Sequence, residues 1–275
     1  MTTDFEVFSA AITSDMSMLC TKHFNFSHSV DYLTIDDCNV EEIETEFLMN
    51  TKYHPSALQI SQNPIQALRK HTFKNLEIKW FYLDGNLIEM IDPEAFFNLT
   101  NVKTISLQSN RIRIYNSDFF VNVPNLDTLN FENNRIQHLN EHSFKFLQVD
   151  GSALYLGLNK ISEIDPNVFG NMTADNLTVD LRYNAINNLP VKIFQGRNFH
   201  SFNLTGNHLM YLRFELKYEP TVEILDYNDN LNPYIIEDLK LFAKVFHLRS
   251  GASGLFLILA QQNVFFSVFT IYFNK

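Results

Sequence analysis

Three groups of residues in this 275-residue chain have types and spacings that chemistry could use. The first is His138 and His142, four apart with Glu141 between them. A metal site would need that pair on a helical turn and a third ligand beside it. The stretch reads instead as a solvated loop, so no metal ligand is assigned. The second group is five N-x-S/T triplets, at Asn25, Asn98, Asn171, Asn176 and Asn203. Each could accept a glycan on a secreted protein, although in so Asn-rich a chain their number alone proves little. The third is the pair of thiols, Cys20 and Cys38, too few for a disulfide scaffold. No phosphate-cradling glycine run, G-x-S-x-G elbow, H-E-x-x-H or C-x-x-C occurs. The sequence therefore predicts neither an enzyme nor a cofactor.

What positions all these groups is a repeat. Cys38, Asn63, Asn86, Asn110, Asn134, Asn159, Asn184, Asn207 and Asn230 recur every 23 to 25 residues. Each ends a short stripe alternating with period two, such as Phe81-x-Leu83-x-x-Asn86 or Ile105-x-Leu107-x-x-Asn110. Alternation predicts a short strand with its apolar positions pointing inward. One inward ladder runs Leu33, Leu58, Phe81, Ile105, Leu129, Leu154, Val179, Phe202, Leu225; the next runs from Ile35 to Tyr227. The chain must turn inward at each stop, which buries backbone N–H and C=O groups. An Asn carries both a donor and an acceptor to satisfy them.

The second half of each repeat reads I-x-x-I-x-x-x-x-F. Phe73, Phe96, Phe120, Phe144, Phe169 and Phe194 are expected to stack as an aromatic spine behind the strands. Pro93, Pro166 and Pro190 suit turns there. The predicted fold class is an α/β solenoid, a curved array of about nine repeats. A short parallel sheet is expected on the concave face, and short helical or 3₁₀ turns behind it. The expected organisation is a flank or cap over 1–29, the array over 30–231, a cap helix over 232–249 and a hydrophobic tail over 250–275.

Hydrophobic residues make up 45% of the chain and charged residues 19%, as in a packed protein. The formal net charge is −10, and no Lys/Arg cluster appears along the sequence. Nucleic acid is therefore not expected as a partner. The binding surface of a repeat array is usually its concave face. Outward positions there include Tyr82, Ser106, Asn130, Tyr155 and Asp180 in one column and Asp84, Gln108, Glu132, Gly157 and Arg182 in the next. Trp80, the one Trp, and Tyr183 near the turn complete the expected ligand surface. Exposed Trp, Tyr and Arg are the types enriched where proteins bind, and aromatics also favour strands for their own sake.

The pattern N-x-I-x-x-L-x-x-x-x-F at about 24 residues, over 30–231, resembles the extracellular leucine-rich repeat. It is similar to insect Toll-type receptor ectodomains and mosquito leucine-rich immune proteins. The resemblance implies non-catalytic recognition of a protein or glycan outside the cell, in innate immunity. A tethered adhesion or developmental receptor and an intracellular scaffold are the alternatives. Met1–Asp15 does not read as a signal peptide, so an extracellular location implies a signal missing from this chain.

In the family resembled, disulfides commonly close the N-terminal cap, so a Cys20–Cys38 bond is one expectation. Cys38 as a buried thiol in the Asn column is the other. Asn232-Pro233-Tyr234 is similar to the family's closing cap, but without the cap cysteines, and the apolar spacing from Ile235 to Phe246 predicts an amphipathic helix. The uncharged run 255–273 is long enough to span a membrane. Gln261, Gln262 and Asn263 at its centre count against insertion. Strands packing on the last repeat, or the tail of a wrongly assigned gene end, are the other readings.

Overall fold

The computed structural model describes residues 17–24, 30–194, 196–209 and 230, with the strand segments Phe8–Ser9, Thr221–Asp226, Val245–Arg249 and Leu257–Ile258. One strand per repeat, from Tyr32–Thr34 through Trp80–Tyr82, Thr128–Asn130 and Leu177–Asp180 to Thr221–Asp226, gives nine strands of a twelve-stranded sheet that follows chain order. Pairing is parallel throughout that run, with one register shift, between Leu177 and Thr178, and Leu33, Leu58, Phe81, Ile105, Leu129, Leu154, Val179, Phe202 and Leu225 are partners in turn. The inward ladder of the sequence is thus the ladder of the fold. From Leu33 to Phe202 its members are buried, as are Ile35 to Leu204 in the second ladder. Each such side chain contributes about 1.5–3 kcal/mol by leaving water.

The stop residues form a continuous polar column inside this apolar coil. Asn134 is representative: its Nδ2 donates to Leu107 O at 2.9 Å and Phe131 O at 3.0 Å. Its Oδ1 accepts from Ile112 N at 3.0 Å. The same pattern recurs at Asn110, Asn159, Asn184 and Asn207. Every Asn therefore ties its own turn to the turn before it. Cys38 sits in the column as the buried-thiol reading expected, and its backbone N–H donates to Asn63 Oδ1 at 2.9 Å. No Cys20–Cys38 bond exists: both are thiols. Cys38 Sγ donates instead to Asp36 O at 3.1 Å, which satisfies the group without a partner cysteine.

Several expectations need correction. Among the described residues there is no α-helix, only the 3₁₀ turns Thr21–His23, Ser117–Phe119 and Val191–Phe194. The expected curved array of parallel strands with short turns behind it is the fold, with almost no helix, because the back segments are too short for one. Phe73–Lys74, Phe96–Phe97 and Phe120–Val121 pair as a small parallel back sheet. The aromatic spine is continuous over Phe73, Phe96 and Phe120, with centroids 5.4 Å apart at both steps. It breaks before Phe144, where Phe120 turns to Phe146 at 4.8 Å and Tyr115 meets Phe144 at 5.4 Å. Beyond, Phe144 stacks on Phe169 at 5.6 Å, and Phe199 bridges Phe169 to Phe194.

The two ends are also more repeat-like than expected. Phe8–Ser9 pairs parallel with the first repeat strand, and Met18–Leu19 pairs with Glu42–Ile43, so the flank adds a rung. The cap helix expected over 232–249 falls mostly outside the described residues, and its last five residues are strand. Val245–Arg249 pairs parallel with Thr221–Asp226. Within the tail only Leu257–Ile258 is described; it pairs antiparallel with that strand, as the packed-strand reading expects. Among the described residues no helix is long and apolar enough to cross a membrane.

Candidate functional site

Outward side chains of the large sheet fall into three columns fixed by the register. Tyr32, Ala57, Trp80 and Thr104 lead the first, and Gln59, Tyr82, Ser106, Asn130, Tyr155 and Asp180 follow one another in the second. The third, two residues on, holds Asp36, Asp84, Gln108, Glu132, Gly157 and Arg182. Ala57 is buried between Tyr32 and Trp80, which leaves those two rings flanking a shallow small-residue floor. Tyr82 lies one column over. Burial pushes its hydroxyl pKa up, with the Asp84 carboxylate and Tyr32 adding to the rise. Half-buried Trp80 and Tyr82 and exposed Tyr32 form one aromatic group at the N-terminal end of the face.

The acidic residues beside it are held by short polar contacts. Asp84 Oδ1 accepts from Ser106 Oγ at 2.6 Å and Gln108 N at 2.9 Å. Asp36 takes Ser61 N at 2.9 Å and the Gln59 amide. Burial nevertheless pushes the Asp84 carboxyl above its usual range; the two bonds work the other way, and Asp36 adds to the rise. A carboxyl raised on folding contributes stability that is present below its unfolded pKa, about 4, and lost as pH rises through the folded value. Asp84→Asn keeps an oxygen for Ser106 and Gln108 and removes the charge. Its melting temperature at pH 7 is expected to equal or exceed that of the parent, with no advantage left near pH 4. A variant that melts lower at pH 7 would show that the carboxylate itself is needed.

The C-terminal half of the face is an ion-paired lattice. Arg182 Nη2 reaches Glu132 Oε1 at 2.7 Å, two strands away, and its Nη1 meets Asp180 Oδ2 at 3.1 Å. Gly157 lies between: a Cβ there would stand 3.0 Å from Arg182 Cγ. The missing side chain is what lets the guanidinium cross a whole repeat. The Glu132 bond pushes the Arg182 pKa up, while burial pushes Asp180 up against the opposing pull of Arg182. Asn130 links the halves, its Nδ2 donating to Gln108 Oε1 at 3.3 Å.

The structure thus brings together ten of the eleven expected ligand-face residues, in two groups with Tyr155 between them. Ser106 and Asp180 are buried, Ser106 bonded to Asp84 and Asp180 paired with Arg182. Tyr183 stands apart on the rim. It is 49% exposed, has a left-handed backbone (φ 52°), and lies against Gly206, where a Cβ would meet its ring at 2.3 Å.

The remaining groups separate. His138 Nδ1 faces Glu163 Oε2 at 3.1 Å, whereas His142 packs over Gly170. Among the described residues no three His, Cys, Asp or Glu gather as metal ligands. Of the glycan triplets, Asn171 and Asn176 are exposed, and Asn25 lies outside the described residues. Asn98 sits in a side-chain ladder on the back, its Nδ2 donating to Asn75 Oδ1 at 2.7 Å. Asn203 points out from its strand and caps Thr205 N at 3.0 Å.

Residues 54–149 match a family model described as leucine rich repeat, in the windows 54–112, 77–135 and 100–149. No curated protein matches by sequence. Similar solved structures include the TLR13–ssRNA13 complex, at 19% identity over 82% of this chain and 40% of that one, with TM-score 0.62. An octameric complex of latrophilin 3, Unc5D and the repeat protein FLRT2 matches at 18% identity over 80% and 66%, TM-score 0.56. The Drosophila Toll–Spatzle complex matches at 16% over 74% and 32%, TM-score 0.55. The chain spans less than two thirds of each of these.

The expectation that excluded nucleic acid rested on the absence of a cation cluster, and that premise fails in the fold, where Arg111, Arg135 and Lys160 occupy one position in consecutive turns. By its repeats, its register and these likenesses, the chain is a leucine-rich-repeat solenoid similar to Toll-type receptor ectodomains.

Proposed function

We propose that the chain is a non-catalytic recognition protein that binds a protein ligand outside the cell, in an innate-immune or receptor role, through the N-terminal half of its large sheet. The observation that carries this reading is the grouping of Tyr32, Trp80 and Tyr82, on strands separated only by Ala57–Gln59, beside Asp36 and Asp84. Rigid aromatics at the centre and held polar groups around them are what affinity at an interface draws on. The opposite half spends its charges on itself, so it offers a ligand less. Protein is favoured over glycan because two of the solved neighbours are complexes with protein partners. Exposed Asn171 and Asn176 suit a secreted glycoprotein. The unjoined thiols of Cys20 and Cys38 support the rival reading, an intracellular scaffold in a reducing compartment.

A photo-crosslinking residue at position 82, with one at Lys145 on the back as control, tests this in extracellular fluid and in cytosol of the producing organism. A partner joined at 82 and not at 145, and weakened about tenfold or more by Trp80→Ala, is the expected result from extracellular fluid. The same partner from cytosol alone selects the scaffold. Equal capture at both positions, or none, removes this face.

A further inference from the structure

Cations scattered along the sequence become neighbours on the lateral side of the coil. Arg111, Arg135 and Lys160 each follow a stop Asn by one residue. The bonds Arg111 N to Ile88 O, Arg135 N to Ile112 O and Lys160 N to Ile136 O, each 2.9 Å, hold them at one position in three consecutive turns. At about 4.8 Å per turn, three charges separated by 24 and 25 residues fall within a strip of about 10 Å. Exposed Arg113 lies on the same side, two residues beyond Arg111.

Few acids oppose them. Glu89 stands 4.0 Å from Arg111, and Glu163 is turned to His138. Arg113, Arg135 and Lys160 make no ion pair among the described residues. On a chain of net charge −10 this strip carries four cations against two acids.

Apolar side chains stand in the same strip. Met90 and Ile114 hold the fourth position after their stop Asn in adjacent turns and are 53% and 75% exposed. Only six large hydrophobics are exposed among the described residues, and these two are neighbours. A phosphate or sulfate chain gains from cations but has no use for a bare Ile and Met. An apolar patch rimmed by Arg is instead the composition of a protein-binding surface, where Met and Arg are enriched.

We propose that this lateral strip is a second docking surface, separate from the sheet face, for an acidic segment of a partner protein. Carboxylates of the segment pair with Arg113, Arg135 and Lys160, and one apolar side chain covers Met90 and Ile114. The surface is independent of the aromatic group, so its test does not depend on the proposed function.

Fluorescence anisotropy with three probes decides it: a Glu-rich peptide bearing Leu residues, the same peptide with Ser for Leu, and poly-uridylate RNA. The Glu/Leu peptide is expected to bind best, with salt weakening it only in part. Arg135→Glu with Lys160→Glu should weaken it about tenfold or more. Ile114→Ser with Met90→Ser should weaken it several-fold while leaving RNA unaffected, and Trp80→Ala should change nothing. All these side chains are on the surface, so unchanged melting of each variant separates lost docking from lost folding. The proposal is overturned if the Ser peptide or the RNA binds as well as the Glu/Leu peptide, if charge reversal leaves binding intact, or if no probe binds.

Discussion

Asn134→Ala is expected to destabilise the protein by about 3–4 kcal/mol and to break its unfolding into two steps. The substitution leaves Leu107 O, Phe131 O and Ile112 N inside the coil without their partner. Each buried group left unmade costs about 1–3 kcal/mol, and Asn134 is itself buried, so water cannot readily replace it. Stability in a repeat array is a sum over turns and the interfaces between neighbours. A broken interface in the middle therefore uncouples the halves, and equilibrium urea unfolding should show a lower midpoint and a broadened or biphasic curve. Cys38→Ala is the control. Its side chain makes one bond, to Asp36 O, at the edge of the array, and its loss should cost about 1 kcal/mol. Equal losses at the two positions would mean that the column bonds are not what couples the turns.

Phe96→Ala is expected to cost about 3–5 kcal/mol, the range for a fully buried Phe whose cavity cannot collapse. Its ring is closed to solvent, stacked 5.4 Å from both Phe73 and Phe120 and edge-on to Phe81 at 6.1 Å. The backbone around it is pinned on both sides by pairing with its neighbours, so the void stays open. The adjacent Phe97 points the other way, half-buried against His71 at 5.0 Å, and Phe97→Ala should cost under about 1 kcal/mol. Urea midpoints of the two variants check this. A difference below about 1 kcal/mol would show that the spine fills space without holding the turns together.

What could be read directly from the sequence is whatever the sheet register repeats. Leu33 to Phe202, Ile35 to Leu204 and the Asn column stand where their spacing puts them, because one parallel ladder imposes one offset on every turn. The aromatic group was visible for the same reason: Trp80 and Tyr82 occupy outward positions of an alternating stripe. What was lost lies where the period is unmarked. The rung at Phe8–Ser9 and the strand Val245–Arg249 have no stop Asn of their own. Val245 and Phe246, read as part of a helical apolar face, are a strand, because a parallel edge beside Thr221–Asp226 offered their backbone a partner. The Arg111–Arg135–Lys160 strip escaped for a different reason. These cations are far apart in sequence, whereas a solenoid makes neighbours of residues one period apart. Reading down the columns would have found it, and would have found Gly157 beneath Arg182 as well.

The back sheet has a mechanical consequence. Over Phe73–Lys74, Phe96–Phe97 and Phe120–Val121 the turns are bonded on both the front and the back of the coil. Two ladders with the same strand spacing on opposite sides leave little wedge between turns, so this stretch cannot easily bend without breaking one of them. From Phe144 onward the back carries turns in place of strands, and the segment from the spine Phe to the next inward ladder residue grows from nine residues (Phe96 to Ile105) to ten (Phe144 to Leu154). There the back turns are joined by single backbone bonds, such as Thr173 N to Leu147 O at 3.3 Å, in place of a paired ladder, and so resist bending less. The molecule is then a stiff beam that carries the aromatic group, continued by a springier arm that carries the ion-paired lattice. Flexing the arm would change the curvature beside a ligand while leaving the groups that grip it in place.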